Sequence, residues 1–414
     1  MQLEKYSFGV GDRFAHQGKA QLKAMVAAKE LGIEIVPVWN KSHREHSIIH
    51  TEPASVRAEA DAAVQELGWG GSYHVDADHI NISNVDLFIE ASDFFTLDVA
   101  DYIGEIAAAG DIDAFVAKYK EYAGSLKIDG IDEPIEITEE MIRTIASKVL
   151  LAVQKAGEIY RHIESKKGEG NFVTEVSMDE TELAQTPVEM LFILAAIADE
   201  GIPAQTVAPK FTGRFNKGVD YVGDVAQFAK EFEQDVAVIK YAVEKFGLPA
   251  NLKLSVHSGS DKFSIYAPIS EVLKKFDAGL HVKTAGTTWL EEIIGLAAAG
   301  GKGLKIAKKI YASAFGRFDE LCGPYATVID IDKDALPSVD EVNEWSAEKF
   351  KAAVTHDATC ADYNLNVRQL LHVGYKVAAE MGSEYLEALE ANEEIIAEHV
   401  TYNIFERHIK PIFG

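Results

Sequence analysis

Four side chains with metal-binding chemistry stand where four different short apolar segments of the sequence end. They are His79, Glu175, His257 and His281. Imidazole and carboxylate ligands together suit Zn²⁺, Mn²⁺, Fe²⁺, Co²⁺ or Ni²⁺, and a catalytic site keeps one coordination position open. The sequence has no local zinc motif such as HExxH. Each histidine taken alone is more often a hydrogen-bonded structural residue than a metal ligand, so a metal site requires a fold that gathers all four.

A denser cluster closes the stretch "YHVDADHI", in which Asp76, Asp78 and His79 occupy four consecutive positions with Ala77. The alternation up to Val75 predicts a strand with one packed face. Charges placed together at a strand end must be solvated, paired with other groups or used in chemistry. A similar group, Glu175 with Asp179 and Glu180, follows in "NFVTEVSMDE".

Basic side chains form a second set just beyond the predicted strand ends. The set comprises Lys41, Arg44, Lys210, Arg214, Lys262 and Lys283. Each one alone is as readily an ordinary surface residue. In a chain with a formal net charge of −26, however, their shared position predicts a local pocket for an anionic group. Ser258 belongs to "HSGSDK", whose backbone amides are candidates to bind a carboxylate at the start of the next helix.

The elements that would position these residues repeat one pattern, in which a short apolar strand leads to ionisable residues and then to a helix. The pattern occurs seven times, with strands in "KYSFGV", "IEIVPVW", "YHV", "NFVTEVSMDE", "AQTVAPK", "LKLSVHSGSDK" and "GLHVKTAGTTW". Strand–helix alternation predicts a parallel sheet. Ionisable residues at nearly every strand end favour a (β/α)8 TIM-barrel-like α/β fold over an open doubly wound sheet. The segment Ala326–Asp332, "ATVIDID", is the candidate for the eighth strand.

Two regions depart from this repeat. Residues 83–142 contain 15 acidic residues against three lysines and no arginine. Residues 83–166 are therefore predicted to be a largely helical acidic insertion after the third strand, with a solvated charged face. Residues 362–414 show helical periodicity and are expected to pack outside the barrel. Without an internal repeat or low-complexity linker, residues 1–414 are expected to form one elaborated domain.

Composition and missing motifs disfavour several classes of function. The acidic balance argues against nucleic acid and against an anionic membrane surface. Cys322 and Cys360 match no metal or redox spacing, and no signal or spanning segment is evident, so the cytoplasm is the expected location. The chain has no GxGxxG after a strand, no GxxxxGK[ST] and no GxSxG. What remains is metal-assisted chemistry on a small polar anion. The sequence is compatible with a homo-oligomer but does not determine the oligomeric state.

Five longer phrases of the sequence resemble the tagaturonate epimerase family of bacterial hexuronate catabolism. They are "GVGDRF", "PVWNKSHREHSII", "VRAEADAAV", "HVDADHI" and "LSVHSGSDKFSIY", and the resemblance extends over essentially the whole chain. It implies a divalent-metal isomerase that interconverts D-tagaturonate and D-fructuronate. Related family members act on the neutral ketohexoses tagatose and fructose, so the sequence leaves the preferred substrate open.

The reaction that the resemblance implies needs an unusual route. The inverted carbon lies one bond beyond the position α to the ketone, so enolisation does not acidify its hydrogen. A retro-aldol opening followed by re-addition avoids this problem, and it requires a Lewis acid and two proton-transfer groups. Asp78 and Glu175 are the candidates for proton transfer, although Glu175 is equally a candidate ligand. Asp76 would orient a histidine ligand, and Lys262 or Lys283 would hold the substrate carboxylate.

Two alternatives share some of these features. A class II-type metal-dependent aldolase acting on a sugar acid would use the same metal and enediolate but would release its fragments. A non-catalytic sugar-acid sensor would bind the ligand without converting it. So many titratable groups favour an enzyme over a sensor.

Overall fold

The computed structural model describes residues 1–179, 181, 183–284 and 286–414, and in them eight parallel strands close into a barrel. Seven barrel strands coincide with those predicted from sequence, and they are β1 (Tyr6–Val10), β2 (Val36–Ser42), β3 (His74–Ile80), β7 (Val173–Ser177), β8 (Thr206–Ala208), β9 (Lys253–His257) and β10 (Leu280–Lys283). The remaining barrel strand is β4 (Phe94–Asp98). The order around the barrel is β1-β2-β3-β4-β7-β8-β9-β10, and β10 pairs with β1. The predicted (β/α)8 fold is confirmed.

The prediction for the remaining strand was wrong. Strand β4 lies inside the segment predicted as a helical insertion, and it pairs with β3 on one side and β7 on the other. Residues 326–332 contain no strand. Their backbone instead anchors neighbouring segments: the Val328 carbonyl accepts a hydrogen bond from the Lys217 amide, and Asp330 exchanges two bonds with the Gln369 side chain.

Helices surround the barrel and continue beyond the last strand. They are α1 (Gly18–Glu30), α2 (His43–Ile49), α3 (Ala54–Leu67), α4 (Ala109–Tyr119), α5 (Glu139–Lys167), α6 (Pro187–Asp199), α7 (Val225–Phe246), α8 (Phe263–Phe276), α9 (Thr287–Ala298), α10 (Gly301–Gly316), α11 (Phe318–Cys322), α12 (Val339–Asn343), α13 (Ala347–Val354), α14 (Leu365–Val373), α15 (Tyr375–Met381), α16 (Ser383–Ala391), α17 (Glu393–Tyr402) and α18 (Lys410–Phe413). A short antiparallel hairpin, β5 (Gly124–Leu126) with β6 (Ile135–Ile137), precedes α5.

Local capping fixes where the helices begin. Ser42 ends β2 and opens α2 through a capping box with Glu45, so the chain turns into a helix immediately after the strand. Thr186 and Glu189 form the same arrangement at the start of α6, with Pro187 in the first helical position. Such caps hold the strand-end residues at the rim of the barrel, where their side chains can meet.

The long C-terminal extension is helical. Helix α17 packs against α9 and α1 on the outside of the barrel, and α18 packs against α8. Helices α14 and α15 approach the carboxyl ends of the strands and contribute His372 and Tyr375 to the cavity described below. No helix in the described part of the chain is both long enough and apolar enough to cross a membrane.

The two faces of the barrel strands differ in polarity. Outward-facing residues such as Trp39, Phe95 and Val256 belong to the large apolar core between strands and helices. Among the described residues, the inside of the barrel carries a small apolar cluster, made of Leu3, Val38, Phe94 and Val173. Two residues further along the same strands, the inward side chains are polar. Most buried polar groups in proteins are paired, and the pairs among these side chains build much of the site.

Candidate active site

His79, Asp179 and His257 form a compact group of metal-binding side chains at the carboxyl end of the barrel. They come from β3, from the loop after β7 and from the last position of β9, and one potential ligand atom of each lies within 4.8 Å of the others. His79 Nε2 is 3.4 Å from Asp179 Oδ1, and His257 Nδ1 is 3.1 Å from Asp179 Oδ2. One carboxylate therefore faces two imidazoles, and these three residues are termed the triad.

The second nitrogen of each imidazole meets another carboxylate. His79 Nδ1 is 2.8 Å from Asp78 Oδ1, and His257 Nε2 is 2.8 Å from Glu175 Oε1. Proteins commonly orient metal-binding histidines in this way. His257 Nδ1 is buried, and Asp179 Oδ2, 3.1 Å away, is the polar group that faces it. A buried imidazole nitrogen that faces a carboxylate, with a second imidazole beside the same carboxylate, fits a divalent cation of the zinc or manganese type.

The backbone at His79 explains how two consecutive residues reach the same cavity. The pairing of β3 with β4 shifts register between Ala77 and Ile80, and His79 has a φ of 52°. This is the left-handed region, which is uncommon for residues other than glycine. The irregularity breaks the strand alternation, as bulges near active sites often do. Asp78 and His79 consequently both line the cavity.

Lys283 lies at the centre of the polar layer beside the triad. Its Nζ is 2.8 Å from Asp76 Oδ2, 2.9 Å from Asp78 Oδ1 and 3.0 Å from Glu175 Oε1, and it also donates to the Thr96 hydroxyl. Burial disfavours the ammonium, but the three carboxylates outweigh it and raise the pKa of Lys283. One cation therefore compensates several buried carboxylates.

The three carboxylates around Lys283 differ in the direction of their pKa shifts. Burial opposes the ionisation of Asp78 and Glu175, but Lys283 and the adjoining histidines outweigh it and hold both pKa values below the usual range. Burial raises the pKa of Asp76 to about 7, against the opposing effect of Lys283. Asp179 raises the pKa of His257 to about 9 despite the effect of burial.

His281 lies one level deeper in the barrel than the triad. Its position is two residues before Lys283 on β10, its Nδ1 is 2.9 Å from the Ser7 hydroxyl, and its ring is 5.3 Å from that of Phe94. Burial lowers its pKa to about 3. The structure thus brings His79, His257 and Glu175 together as expected but places His281 beneath them, and the third member of the triad is Asp179.

A cavity of about 810 Å³ opens above the triad. Its walls include six basic side chains, Arg13, Arg44, Lys210, Arg214, Lys217 and Lys283. Four of these were predicted from sequence to bind an anion. A concentration of basic groups at this site in a chain of net charge −26 supports a negatively charged ligand.

Three residues expected to bind substrate do not reach the cavity. Lys41 follows inward-facing Asn40 on β2 and therefore points to the outer face, where its ammonium donates to the Arg13 carbonyl. Lys262 is fully buried and donates to the Val219 and Asp261 carbonyls and to a hydroxyl. Ser258 donates its hydroxyl to the Lys283 carbonyl. These expectations are corrected.

Sequence reasoning missed several cavity residues. Asn40 is 1% exposed and lines the cavity, yet neither side-chain atom of its amide has a hydrogen-bond partner among the described residues. His372, on α14, also lines the cavity, and its Nε2 is buried without a hydrogen-bond partner among the described residues. Asp98 and Tyr325 also line the cavity. The signal in the sequence that could have found Asn40 was its position near a strand end. Glu180, named above with Glu175 and Asp179, lies outside the described residues.

A closed parallel barrel with its charged and metal-binding groups gathered at the carboxyl ends of the strands is the architecture of a (β/α)8-barrel enzyme. The model of the tagaturonate epimerase family matches residues 1–412. The chain therefore belongs to the tagaturonate epimerase family, and the protein is a carbohydrate epimerase.

Individual relatives agree with this assignment. The chain is 28% identical over 424 aligned positions to a tagaturonate/fructuronate epimerase from Thermotoga maritima, covering 99% of this chain and 81% of the relative. A glycerol-complexed crystal structure of the fructuronate-tagaturonate epimerase from Cohnella laeviribosi superimposes with a TM-score of 0.82 at 22% identity. That match covers 100% of this chain and 82% of the other and shows that the fold is shared.

Proposed function

We propose that the protein interconverts D-tagaturonate and D-fructuronate with the help of a divalent metal held by the triad. The observation that carries this proposal is the arrangement of the triad beside Asp78 and Lys283, under a cavity lined by basic side chains. A sugar acid supplies the anionic group that such a cavity favours. We also place the activity in the cytoplasm, where the unpaired Cys322 and Cys360 would stay reduced.

The proposed route opens and re-forms one carbon–carbon bond. A base takes the proton from the hydroxyl on the carbon to be inverted, that carbon becomes an aldehyde, and the electron pair of the broken bond moves to the ketone as an enediolate. The aldehyde then rotates, the bond forms on its other face, and the new alkoxide takes up a proton. No atom is gained or lost, and the hydrogen on the inverted carbon never leaves it.

Asp78 is the carboxylate best placed to exchange that proton. It lines the cavity and is held ionised by the neighbouring Lys283 and His79. Lys283, which touches Asp78 and also lines the cavity, is the second proton-carrying group. Glu175 is fully buried below His257, so we assign it to the support of that histidine instead of proton transfer.

The other polar side chains orient what they touch. The metal, when bound, would act as a Lewis acid toward the developing negative charge on the substrate oxygen. Asp78 and Glu175 fix the imidazole rings of the triad. The buried, unsatisfied amide of Asn40 is available to hydrogen-bond a substrate hydroxyl.

A direct assay tests the proposed function. The purified enzyme, stripped of metal and then reloaded with single divalent ions, is given D-tagaturonate, D-fructuronate, tagatose or fructose. We expect metal-restored interconversion of the two uronates. Accumulation of shorter fragments would identify an aldolase, and conversion of only the neutral sugars would refute the uronate assignment.

A further inference from the structure

Three polar side chains of the cavity wall carry buried atoms that make no hydrogen bond. They are Asn40 on β2, Asn216 in the segment between β8 and α7, and His372 on α14. None of them is more than 2% exposed. Both amide atoms of Asn40, Oδ1 of Asn216 and Nε2 of His372 have no partner in the part of the chain that the structure describes. Buried polar atoms are seldom left unpaired, so several of them around one cavity indicate a polar ligand.

Contacts that leave these atoms unused hold two of the three side chains in place. Arg368 is fully buried on α14, one turn before His372, and its guanidinium donates to the Asp261 carboxylate at 2.7 Å. The same guanidinium donates to the Gly218 carbonyl and so anchors the segment that carries Asn216. Asn216 and His372 are therefore positioned by their neighbours, and their own unpaired atoms remain available to a ligand.

Two glycines show on which side of the barrel these groups lie. A Cβ at Gly286 would lie 2.2 Å from His372 Nε2, so the imidazole lies directly against the backbone that follows β10. A Cβ at Gly9, on β1, would lie 2.8 Å from Asn40 Nδ2. Because β10 pairs with β1, Asn40 and His372 share one side of the cavity. Asn216 follows β8 instead, so the three groups approach a bound ligand from different directions.

The three side chains carry no charge, which decides the kind of group that they suit. Burial lowers the pKa of His372 well below its usual range, and the neighbouring cations, Arg13 foremost, lower it further. A neutral imidazole donates through one nitrogen and accepts through the other, and an amide likewise has donors and an acceptor. A hydroxyl also donates and accepts. The set therefore matches a chain of hydroxyls better than it matches a carboxylate.

We propose that Asn40, Asn216 and His372 together bind the hydroxyl groups of the substrate's carbon chain, the part that uronates and neutral ketohexoses have in common. This inference rests on the proposed function and adds Asn216 and His372 to the role given there to Asn40. The set recognises a polyhydroxy chain whether or not the chain ends in a carboxylate. Losing one hydrogen bond between neutral groups should weaken binding about 2- to 12-fold.

The test uses Asn216→Leu and His372→Leu in the metal-loaded enzyme, with His372→Gln as the conservative variant. Ser92→Ala is the control, because the Ser92 hydroxyl is also buried without a partner among the described residues but lies outside the cavity wall. Calorimetry measures the binding of D-mannonate, a uronate with its ketone reduced, and of D-mannitol, which lacks the carboxylate. The melting temperature of each variant is measured without ligand.

We expect both leucine variants to lose affinity for mannonate and for mannitol by the same factor, because the lost contact is to a hydroxyl that both ligands carry. His372→Gln should recover part of the loss, since its amide also donates and accepts. Ser92→Ala should change neither affinity. The melting temperatures should stay near that of wild type, because leucine replaces atoms that have no partner in the free protein.

The outcomes separate this inference from the proposed function. If wild-type enzyme epimerises uronates but both leucine variants keep their affinity for the two ligands, the hydroxyl site is refuted and the function stands. A loss confined to mannonate would also refute it, as would a loss that accompanies a large fall in melting temperature. If wild type converts no uronate yet mannitol binding depends on Asn216 and His372, the function fails and the site stands. A wild type that neither binds these ligands nor converts a uronate overturns both.

Discussion

The imidazole rings of His79 and His257 lie with their centroids 5.1 Å apart and inclined by 65°. Each turns one nitrogen toward the same carboxylate, Asp179, and the other toward a separate carboxylate. The two rings come from β3 and β9, which lie on different sides of β4 and β7 in the barrel. At this distance the rings would repel each other if both were protonated. A shared divalent cation removes that repulsion, and this relationship leads to the first prediction.

Replacing any member of the triad by alanine should abolish stoichiometric metal binding. Elemental analysis of His79→Ala, Asp179→Ala and His257→Ala after gel filtration measures this directly. Glu175→Gln should retain metal with about 10- to 100-fold lower affinity, because it alters a group that orients a ligand. His281→Asn is the matched histidine control and should keep the metal. Full occupancy in His257→Ala would contradict the site, and metal loss in His281→Asn would return His281 to it.

The route predicts the fate of one hydrogen. During epimerisation in deuterium oxide, the inverted carbon should acquire no deuterium, because the retro-aldol step never breaks its bond to hydrogen. Nuclear magnetic resonance of the product after a single turnover measures this. A carbon-13 isotope effect at both carbons of the breaking bond would separate this route from transient oxidation. Deuterium at the inverted carbon would show direct deprotonation and rule the retro-aldol route out.

Removing the central ammonium should be costly for stability. Lys283→Met leaves Asp76, Asp78 and Glu175 buried without their common cation, and breaking a buried ion pair typically costs about 3–5 kcal/mol. Urea denaturation of the metal-free enzyme measures the loss. Adding Asp76→Asn should recover part of it. Lys275→Met is the control, because it removes an exposed lysine paired with Glu233, and it should change stability little. Equal losses of stability in Lys283→Met and Lys275→Met would contradict the role of Lys283.

Lys253 predicts a pH dependence of stability away from the active site. It is buried at the start of β9, and burial lowers its pKa to about 7. Between pH 7 and 10 the unfolded chain therefore binds the proton that the folded chain has released. The contribution of Lys253 to stability consequently rises with pH, by up to about 1.4 kcal/mol per unit.

Denaturation of Lys253→Met and wild type across this range measures that contribution. The methionine variant should be relatively more stable at pH 6.5, and wild type should gain on it as the pH rises. Exposed Lys240→Met should show no such trend. A difference between Lys253→Met and wild type that stays constant from pH 6.5 to 10 would show that Lys253 remains charged when buried.

Seven of the eight barrel strands could be predicted because each joins an apolar run to a helix with a clear start. Strand β4 could not, because its five residues, Phe94–Asp98, are surrounded by acidic residues that suggest a solvated insertion. The opposite error occurred at residues 326–332, whose apolar pattern resembles a strand. Their contacts with Lys217 and Gln369 are tertiary and leave no periodic signal in the sequence.

The sequence could predict which strands carry the site residues. It could not predict how deep in the barrel each side chain lies or which face of the strand it points to. Lys41 and Asn40 are adjacent on β2. Because successive side chains of a strand point to opposite faces, a shift of one residue decides which of the two faces the cavity. His281 and Lys283 share a face of β10, but only the second reaches the level of the triad. Asp179 lies in a loop beyond its strand, where no periodicity applies. Such distinctions depend on barrel register, which only the assembled fold supplies.

Position 79 holds an imidazole on a backbone suited to glycine. The left-handed φ of His79 costs about 1–2 kcal/mol for a residue with a Cβ. Glycine adopts that conformation freely, so His79→Gly should melt at a higher temperature than His79→Ala although both lose the imidazole. A library screened for melting temperature alone would therefore reward glycine here and enrich inactive protein. Stability-guided engineering of this enzyme should keep position 79 fixed.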